Sequence, residues 1–429
     1  MKKSRPVQIV EISEALCNGC VLCMKACPTK AIRVKENRLA HIVGACIECG
    51  ECIRTCPRSA IKFVTTGKTA PKSAYSCVGA SSALYVQFGE QFMPNDVLLA
   101  LRSLGLGYVH DTSYTSELYN VALGLYLSEQ REKNEAPRPL ISPFCPVVVQ
   151  TIFHRFPALI EHIPPLLLPR QIVAREAKGR LSAKYNCSQE EIKVLHITPC
   201  AAQIASIQNP VLSDDYYIDE AIGIGSIHES IKSALRNLED DKVLHHSGGV
   251  GLGWAMSGGE IVGLDMNCLA ISGLQETIHY LEKIEMGLLR DVDYVECRTC
   301  TEGCIGGPLA VADKYEAKHH LQKLVRQFGL EKRVKVEYVK KLYARGWFFS
   351  KRKNYITGQR DSGESISERI ERVNRVEETL EGLPGKECGV CGCPDCRTFA
   401  EDVVNGKASM GGCVFCSNEK LKGGHAGEG

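Results

Sequence analysis

The sequence predicts a multidomain α/β protein, and three observations carry that prediction. A cysteine-rich segment near the start repeats itself. The long central region sets β-branched runs and helically spaced stretches beside isolated cysteines. A second cysteine-rich segment closes the chain around one amphipathic helix. The 429 residues correspond to about two to four domains at roughly 100–200 residues each.

Composition narrows the chemistry. Hydrophobic residues make up 44% of the chain, enough for a sizeable core, and the formal net charge is only +2. That balance does not call for nucleic acid or a strongly charged substrate. The start, "MKKSRPVQIV", is basic but lacks the apolar stretch of a signal peptide. No run approaches the roughly 20 apolar residues that span a bilayer, and "IPPLLLP" is short and broken by prolines. The expected location is the cytoplasm, with no membrane partner. Thiols stay reduced there, so the 22 cysteines read first as metal ligands.

Residues 1–69 are expected to form the first domain. Cys17-x2-Cys20-x2-Cys23-x3-Cys27-Pro28 is followed, 29 residues on, by Cys46-x2-Cys49-x2-Cys52-x3-Cys56-Pro57. "CNGCVLCMKACPTKAI" aligns without a gap on "CIECGECIRTCPRSAI". On thiol chemistry alone two zinc knuckles are the alternative. The repeat resembles the bacterial two-cluster ferredoxins, whose fourth cysteine serves the other cluster. The resemblance implies a ferredoxin-like α+β dicluster domain. Cys17, Cys20, Cys23 and Cys56 would hold one 4Fe–4S cluster, and Cys46, Cys49, Cys52 and Cys27 the second.

Residues 356–429 are expected to contain a linker helix and a small helical Fe–S domain. "RDSGESISERIERVNRVEETLEGLPG" reads as a polar linker and an amphipathic helix, capped by Ser365 or Ser367 and ended by Gly382 and Pro384. Cys388-x2-Cys391-x4-Cys396-x16-Cys413 follows. A four-thiolate zinc site fits that spacing almost as well as iron. The pattern resembles the small Fe–S domain of electron-transfer and corrinoid-pathway proteins, which implies a 4Fe–4S cluster on those four cysteines. Cys393 and Cys416 are surplus: spare thiols, or replacements for the chosen ligands.

Residues 70–355 make the central domain. "KVLHITPCA" reads as a buried strand delivering Cys200 at its carboxyl end. "QTIFHRFPALIEHI", after Cys145-Pro146, has helical spacing. Cys145 has no near neighbour, and the ordinary reading of such a cysteine is a small buried hydrophobe. Cys300-x3-Cys304, in "YVECRTCTEGCIGGP", is a weak signal by itself, and core cysteines on a helix would look the same.

Read together, "ISPFCPVVV", "VLHITPCAAQIASIQ" and "VDYVECRTCTEGCIGGP" resemble the three cysteine loops of iron-only (FeFe) hydrogenases. "LRSLGLGYVHDTS" and "AISGLQETIHYLEKIEMGLL" resemble two further stretches of that family. The resemblance spans roughly residues 70–330 and, with the flanking domains, is closest to the sensory type. It implies a two-lobed α/β iron-hydrogenase-like domain with a 4Fe–4S cluster on Cys145, Cys200, Cys300 and Cys304. In the family, the counterpart of Cys304 also bridges to a two-iron site carrying CO and cyanide, where H2 is made or split.

The departures are as informative as the matches. Phe144 stands where the family keeps a proton-donating cysteine, and its ring has no exchangeable proton. Gln203 replaces a lysine that bonds a cyanide ligand, and Arg298 replaces a methionine. "SELYNVALGLYL" offers Glu117 and then apolar residues in place of a proton path. No catalytic residue is therefore assigned. Two readings follow. One is a slow, sensory hydrogenase with a two-iron site. The other is a non-catalytic redox-sensing or electron-transfer subunit holding only cubanes.

Other features read as structural. His245-His246 is expected in a surface loop, and the glycines after it match no nucleotide-binding fingerprint. Cys77, Cys187 and Cys268 are isolated thiols, whereas Cys297 is either a spare ligand or a redox-active thiol. Basic residues 332–353 read as a solvated helix, with a nucleic-acid or acidic-partner surface as the alternative. The expected cofactors are four 4Fe–4S clusters, with or without the CO- and cyanide-ligated two-iron group. The expected partners are a redox protein (a ferredoxin, an oxidoreductase or a signalling subunit) and, on the first reading, H2 and protons. An anaerobic or shielded setting follows, because exposed clusters oxidise.

Overall fold

A computed structural model describes residues 9–34, 37–64, 75–133, 136–213, 215–351 and 365–416. The described residues fall into two compact units, one built from 9–64 and 365–416, the other from 75–351.

The first unit opens with the cysteine repeat. β1 (Val10–Ile12), α1 (Leu22–Ala26) and β2 (Ile32–Val34) are answered by β3 (Ala40–Ile42), α2 (Glu51–Thr55) and β4 (Ile61–Phe63). β1 pairs antiparallel with β4 and β2 with β3, with Val10 opposite Phe63 and Ile32 opposite Ile42. Each five-residue helix starts after a left-handed residue, Val21 or Gly50, and ends at an extended cysteine, Cys27 or Cys56. The proline that follows lacks an N–H and cannot continue the helix. Val10, Met24, Ile32 and Ile61 form a small core that cysteines complete.

The second unit has two parallel sheets, which are the two lobes. The first lobe contains β5 (Ser76–Ala80), α3 (Pro94–Ser103), β6 (Tyr108–His110) and the long α4 (Thr112–Lys133). The chain then crosses to β7 (Leu140–Ile141) and α5 (Pro146–Arg155), and returns through α6 (Pro169–Tyr185). β8 (Lys193–Thr198), α7 (Ala201–Gln208), β9 (Glu220–Gly223) and α8 (Ile224–Leu235) complete the first sheet, ordered β6-β5-β8-β9. After α9 (Gly249–Leu252), β10 (Cys268–Ser272), α10 (Leu274–Glu285) and β11 (Tyr294–Arg298) build the second sheet, ordered β10-β11-β7. α11 (Lys314–Phe328) and α12 (Val336–Ala344) follow. Every pair in both sheets is parallel. All five residues of β5 and of β11 are buried, as expected for strands covered on both faces.

Two local expectations need adjusting. The helix after Cys145 stops at Arg155 and a 3-10 turn spans Pro157–His162, because Pro157 cannot extend it. His245 is buried rather than on the surface, with Nδ1 3.1 Å from the Asp111 carboxylate, while His246 is exposed. The glycine-rich turn folds inward here because Asp111 accepts hydrogen bonds from the backbone N–H of His246 and Ser247. In the basic segment, α12 buries Val339 in the core that also holds Leu118 and Phe348. Residues 352–364 lie outside the described set.

The first unit closes with α13 (Ile366–Glu381) and α14 (Cys396–Val404). Ser365 caps α13, accepting from Glu368 N–H while the Glu368 carboxylate accepts from Ser365 N–H. Gly382 follows its last turn. This segment docks on the cysteine repeat. Arg33 bonds Asp402 at 2.7 Å, Lys30 meets Asp395 at 2.5 Å, and Lys25 donates to the carbonyls of Glu387 and Pro394. Val34 N–H donates to Gly392 O at 2.9 Å. Gly392 has φ +79°, and a Cβ there would lie 1.9 Å from the Val34 carbonyl oxygen, so the close approach requires glycine.

Candidate metal centres

The cysteines gather at four places. In the repeat, Cys17, Cys20, Cys23 and Cys56 line one cavity with Val34 and Ala40, and Cys27, Cys46, Cys49 and Cys52 line another. Cys56 thus lines the cavity of the first repeat and Cys27 that of the second. Ala31 and Ala60 each direct a backbone N–H to a sulfur, of Cys27 and Cys56 respectively, at 3.3 Å. Burial pushes the Cys23 and Cys46 thiols up to about 11 and Cys52 up to about 12, with neighbouring cysteines adding to the shift in each. Four thiols in one apolar pocket become thiolates together only when a strongly cationic group joins them. That donor set fits a soft, sulfur-bound metal centre such as an Fe–S cluster.

At the other end of the chain, Cys388, Cys391, Cys396 and Cys413 line a third cavity with Phe399. Asp395 starts α14 by accepting from Thr398 N–H, and this places Cys396 at the first turn. Cys393 instead aims its thiol at Asp402, and Cys416 at the Gly382 carbonyl.

The fourth place lies where strands of both sheets of the second unit end. Cys145 follows β7 and precedes α5, Cys200 follows β8 and precedes α7, and Cys300 follows β11. Carboxyl ends of parallel strands are where open α/β sheets build sites, and helix N-termini there favour negative charge. The Cys200 thiol is held well above its usual value by burial and then by Cys300, Cys145 and Cys304. Burial likewise pushes Cys304 up to about 11, with Arg298 and Arg170 opposing it. Two cysteine loops from one sheet and one from the other therefore converge. Cys297 is fully buried within β11, paired across the sheet with Ile271.

Phe144 and Arg298 are in contact beside this constellation. The Arg298 guanidinium sits 4.1 Å from the Phe144 ring centroid, and its Nη1 is 3.9 Å from Cys304 Sγ. Its Nη2 donates to Glu260 at 3.0 Å and its Nε to Glu296 at 2.9 Å, with all three side chains at most 1% exposed. Glu260 also accepts from Ser142 and Tyr294 hydroxyls. Burial pushes Glu260 up to about 7 against the pull of Arg298. Gln203 Oε1 accepts from Thr198 at 2.8 Å and lies 3.3 Å from His196 Nε2. Burial lowers His196 to about 4, so its ring is neutral.

Phe144, Gln203, His196, Arg170, Trp254 and Thr112 line a small inner cavity whose described residues include no carboxylate. Glu117 is occupied elsewhere, accepting from Gly248 and Arg333 backbone N–H. Arg170, Trp254, Glu260 and Glu296 were not legible as site residues. Their one sequence signal is a charge or indole inside an apolar stretch, as in "LLLPRQIV".

Such a molecule, with cysteine cavities on a repeat and a further constellation between two parallel sheets, is an iron–sulfur protein. The family profile of the iron only hydrogenase large subunit, C-terminal domain, matches residues 74–262. The profile of a 4Fe-4S dicluster domain matches residues 9–57, and that of an Fe-S cluster family residues 383–415. Two variants of the FeFe-hydrogenase HydA1 from Chlamydomonas reinhardtii share the fold at 16% identity, with TM-scores of 0.54 and 0.55. A HydA(deltaEFG) structure concerned with stepwise H-cluster assembly has a TM-score of 0.52 at the same identity. Each comparison covers 68% of this chain and 97% of the other. No curated protein matches the chain. The chain is an iron–sulfur protein like the hydrogenase large subunit, with a ferredoxin-like domain. Among the described residues no helix is long and apolar enough to cross a membrane.

Proposed function

We propose that this is an electron-transfer protein whose hydrogenase-like site has slow or no H2 chemistry. The observation that carries the reading is the Arg298 guanidinium stacked on Phe144 and directed at Cys304 Sγ. In the hydrogenases this sulfur leads to the two-iron group, and a thiol beside it supplies the proton. Here a fixed cation and an aromatic ring take those places. The cluster ligands are Cys145, Cys200, Cys300 and Cys304, beside the two quartets of the repeat and the quartet Cys388, Cys391, Cys396 and Cys413. Four 4Fe–4S clusters supply one-electron transfer, and the protein's residues set their potentials through burial and hydrogen bonds to sulfur. The domains are residues 1–69, 70–355 and 356–429, and the clusters exchange electrons with a redox partner protein in the cytoplasm.

The second reading, a subunit holding cubanes alone, is favoured by the same Arg298–Cys304 contact, which occupies the sulfur that would bridge. Anaerobic maturation followed by infrared spectroscopy and an H2-evolution assay tests both. The expected result is iron and acid-labile sulfide near four each per cluster, with H2 evolution well below about 10 s⁻¹, the median enzyme turnover. Bands of metal-bound CO and cyanide would separate the slow hydrogenase from the cubane-only subunit. Turnover above that rate would overturn the proposal.

A further inference from the structure

Two consecutive residues at the end of β11 reach sulfurs on two different cysteine loops. Arg298 is the last residue of the strand, and Thr299 follows it directly before Cys300. The Arg298 guanidinium divides its donors. Nε goes to Glu296, Nη2 to Glu260, and Nη1 lies 3.9 Å from Cys304 Sγ. The Thr299 hydroxyl lies 3.5 Å from Cys145 Sγ, on a loop 154 residues away.

The Cys145–Thr299 contact is fixed by the fold. Both side chains are buried, Thr299 at 4% exposure. The Cys145 loop is pinned to β11, because the Ser142 backbone N–H donates to the Val295 carbonyl at 2.9 Å and so continues the β7–β11 pairing. Within the loop, Phe144 N–H donates to the Ser142 hydroxyl oxygen. Cys200, by contrast, is served by the backbone N–H of Gln203 in the first turn of α7.

Charge decides which atom of the contact donates. A sulfur that ligates a metal is a thiolate. It has no proton to give, so the Thr299 hydroxyl is the donor. A hydrogen bond to a ligating sulfur favours the more negative, reduced form of an Fe–S centre, and such bonds are among the levers that set its potential.

We propose, resting on the iron–sulfur reading of the quartet Cys145, Cys200, Cys300 and Cys304, that Thr299 is a positioning residue that raises the reduction potential of the centre those cysteines hold. The hydroxyl stabilises the state that has taken up one electron from the redox partner. No proton is transferred, since the hydroxyl keeps its hydrogen. Arg298 acts in the same direction on Cys304. A higher potential weakens the centre as an electron donor, which agrees with slow or absent H2 chemistry.

The test is a potentiometric titration of the anaerobic holoprotein, followed by electron paramagnetic resonance of the reduced clusters. Cys200→Ala identifies the signal of this centre as the component it removes. Thr299→Val keeps the side-chain shape and deletes the donor. At the parent's midpoint potential its reduced-to-oxidised ratio should fall about 3–10-fold, or about 30–60 mV for one electron, since only part of a hydrogen bond to a charged group differs between the two oxidation states. Thr299→Ser restores the hydroxyl and should stay within about twofold of the parent. The other clusters should keep their midpoints in both variants. The proposal falls if Thr299→Val, with the parent's iron content, keeps or raises the midpoint. It also falls if Thr299→Ser shifts as far as Thr299→Val, which would assign the effect to packing of the β-branched side chain. Thr299→Ala is a second donor-free variant, and if neither it nor Thr299→Val holds this cluster while Thr299→Ser does, Thr299 is a scaffold residue and the proposal falls. A different failure, no component lost in Cys200→Ala, would overturn the iron–sulfur reading of the quartet and the proposal with it.

Discussion

The guanidinium of Arg298 lies over the ring of Phe144, 4.1 Å from its centroid, and is held there by Glu260 and Glu296. A buried cation on an aromatic face contributes about 2 kcal/mol when desolvated. The two carboxylates are in turn fixed by Ser142, Tyr294 and the backbone N–H groups of Gly258 and Glu260. The Phe144 ring and the Arg298 guanidinium thus cover each other's surface.

Removing the cation exposes the cost of that network. Arg298→Met leaves two buried carboxylates facing each other, and should destabilise the second unit by about 3–5 kcal/mol. Adding Glu260→Gln removes one of those charges and should recover a substantial part. Anaerobic urea unfolding of the single and double variants checks both. A double variant less stable than Arg298→Met would show that Glu260 does not depend on the guanidinium.

Asp111 makes a second buried knot, at the end of β6. It accepts from Tyr85 Oη at 3.0 Å, Ser113 N–H at 3.1 Å and the backbone N–H groups of His246 and Ser247. Burial alone would raise its carboxyl, but His245, Ser113 and the His246 backbone together hold it below the usual range. A carboxylate with a depressed folded pKa stabilises fully above its unfolded value of about 3.9, and that contribution is lost as pH falls through the folded value. Asp111→Asn should therefore cost about 2–4 kcal/mol at neutral pH. The gap from the parent should narrow below about pH 4. Unfolding curves followed by tryptophan fluorescence at the two pH values measure it, and a gap that stays constant would contradict the assignment.

The local structure of the repeat was legible because its cysteines are closely spaced. Spacings of two or three residues between cysteines, and the proline after each fourth cysteine, fix both the short helices and their ends. The strand before Cys200 was equally readable from its β-branched run. The Arg298–Glu260 pair was not, because its partners are 38 residues apart and lie on separate elements. Arg170 reads in sequence as an ordinary first-turn residue of α6, and only the fold places it over the Phe144 ring. His245 was misjudged for the same reason, since the carboxylate that draws it inward belongs to residue 111.

Cross-repeat ligation gives a sharper test than cysteine loss in general. Cys56 is the last cysteine of the second repeat but lines the cavity of Cys17, Cys20 and Cys23, while Cys27, the last of the first repeat, lines that of the second. Cys56→Ser should therefore remove or alter the first-repeat cluster and leave the other intact. Combining it with Cys17→Ala should add little, whereas combining it with Cys46→Ala should remove about four further irons. Iron analysis with electron paramagnetic resonance of the reduced protein distinguishes these. Equal further loss in both doubles would refute the exchange.

The docking of the last segment on the repeat leads to a prediction about electron flow within the first unit. Gly392 lies between Cys391 and Cys393, and its backbone is joined to Val34, which lines the cavity of Cys17, Cys20, Cys23 and Cys56. A Cβ built on Gly389, beside Cys388, would lie 3.1 Å from the Met24 and Lys25 side chains. The C-terminal cluster should therefore couple magnetically to the first-repeat cluster when both are reduced. Asp402→Asn removes the charge that Arg33 pairs with, where the two side chains are 10% and 14% exposed. Because that pair is partly buried, the loss should be about 1–3 kcal/mol, read as faster proteolytic release of the C-terminal segment. Gly392→Ala should act more strongly, since the added methyl meets the Val34 carbonyl directly. Both variants should weaken the spin coupling while total iron stays constant. Coupling that persists unchanged in Gly392→Ala would mean that the electrons take another path out of the repeat.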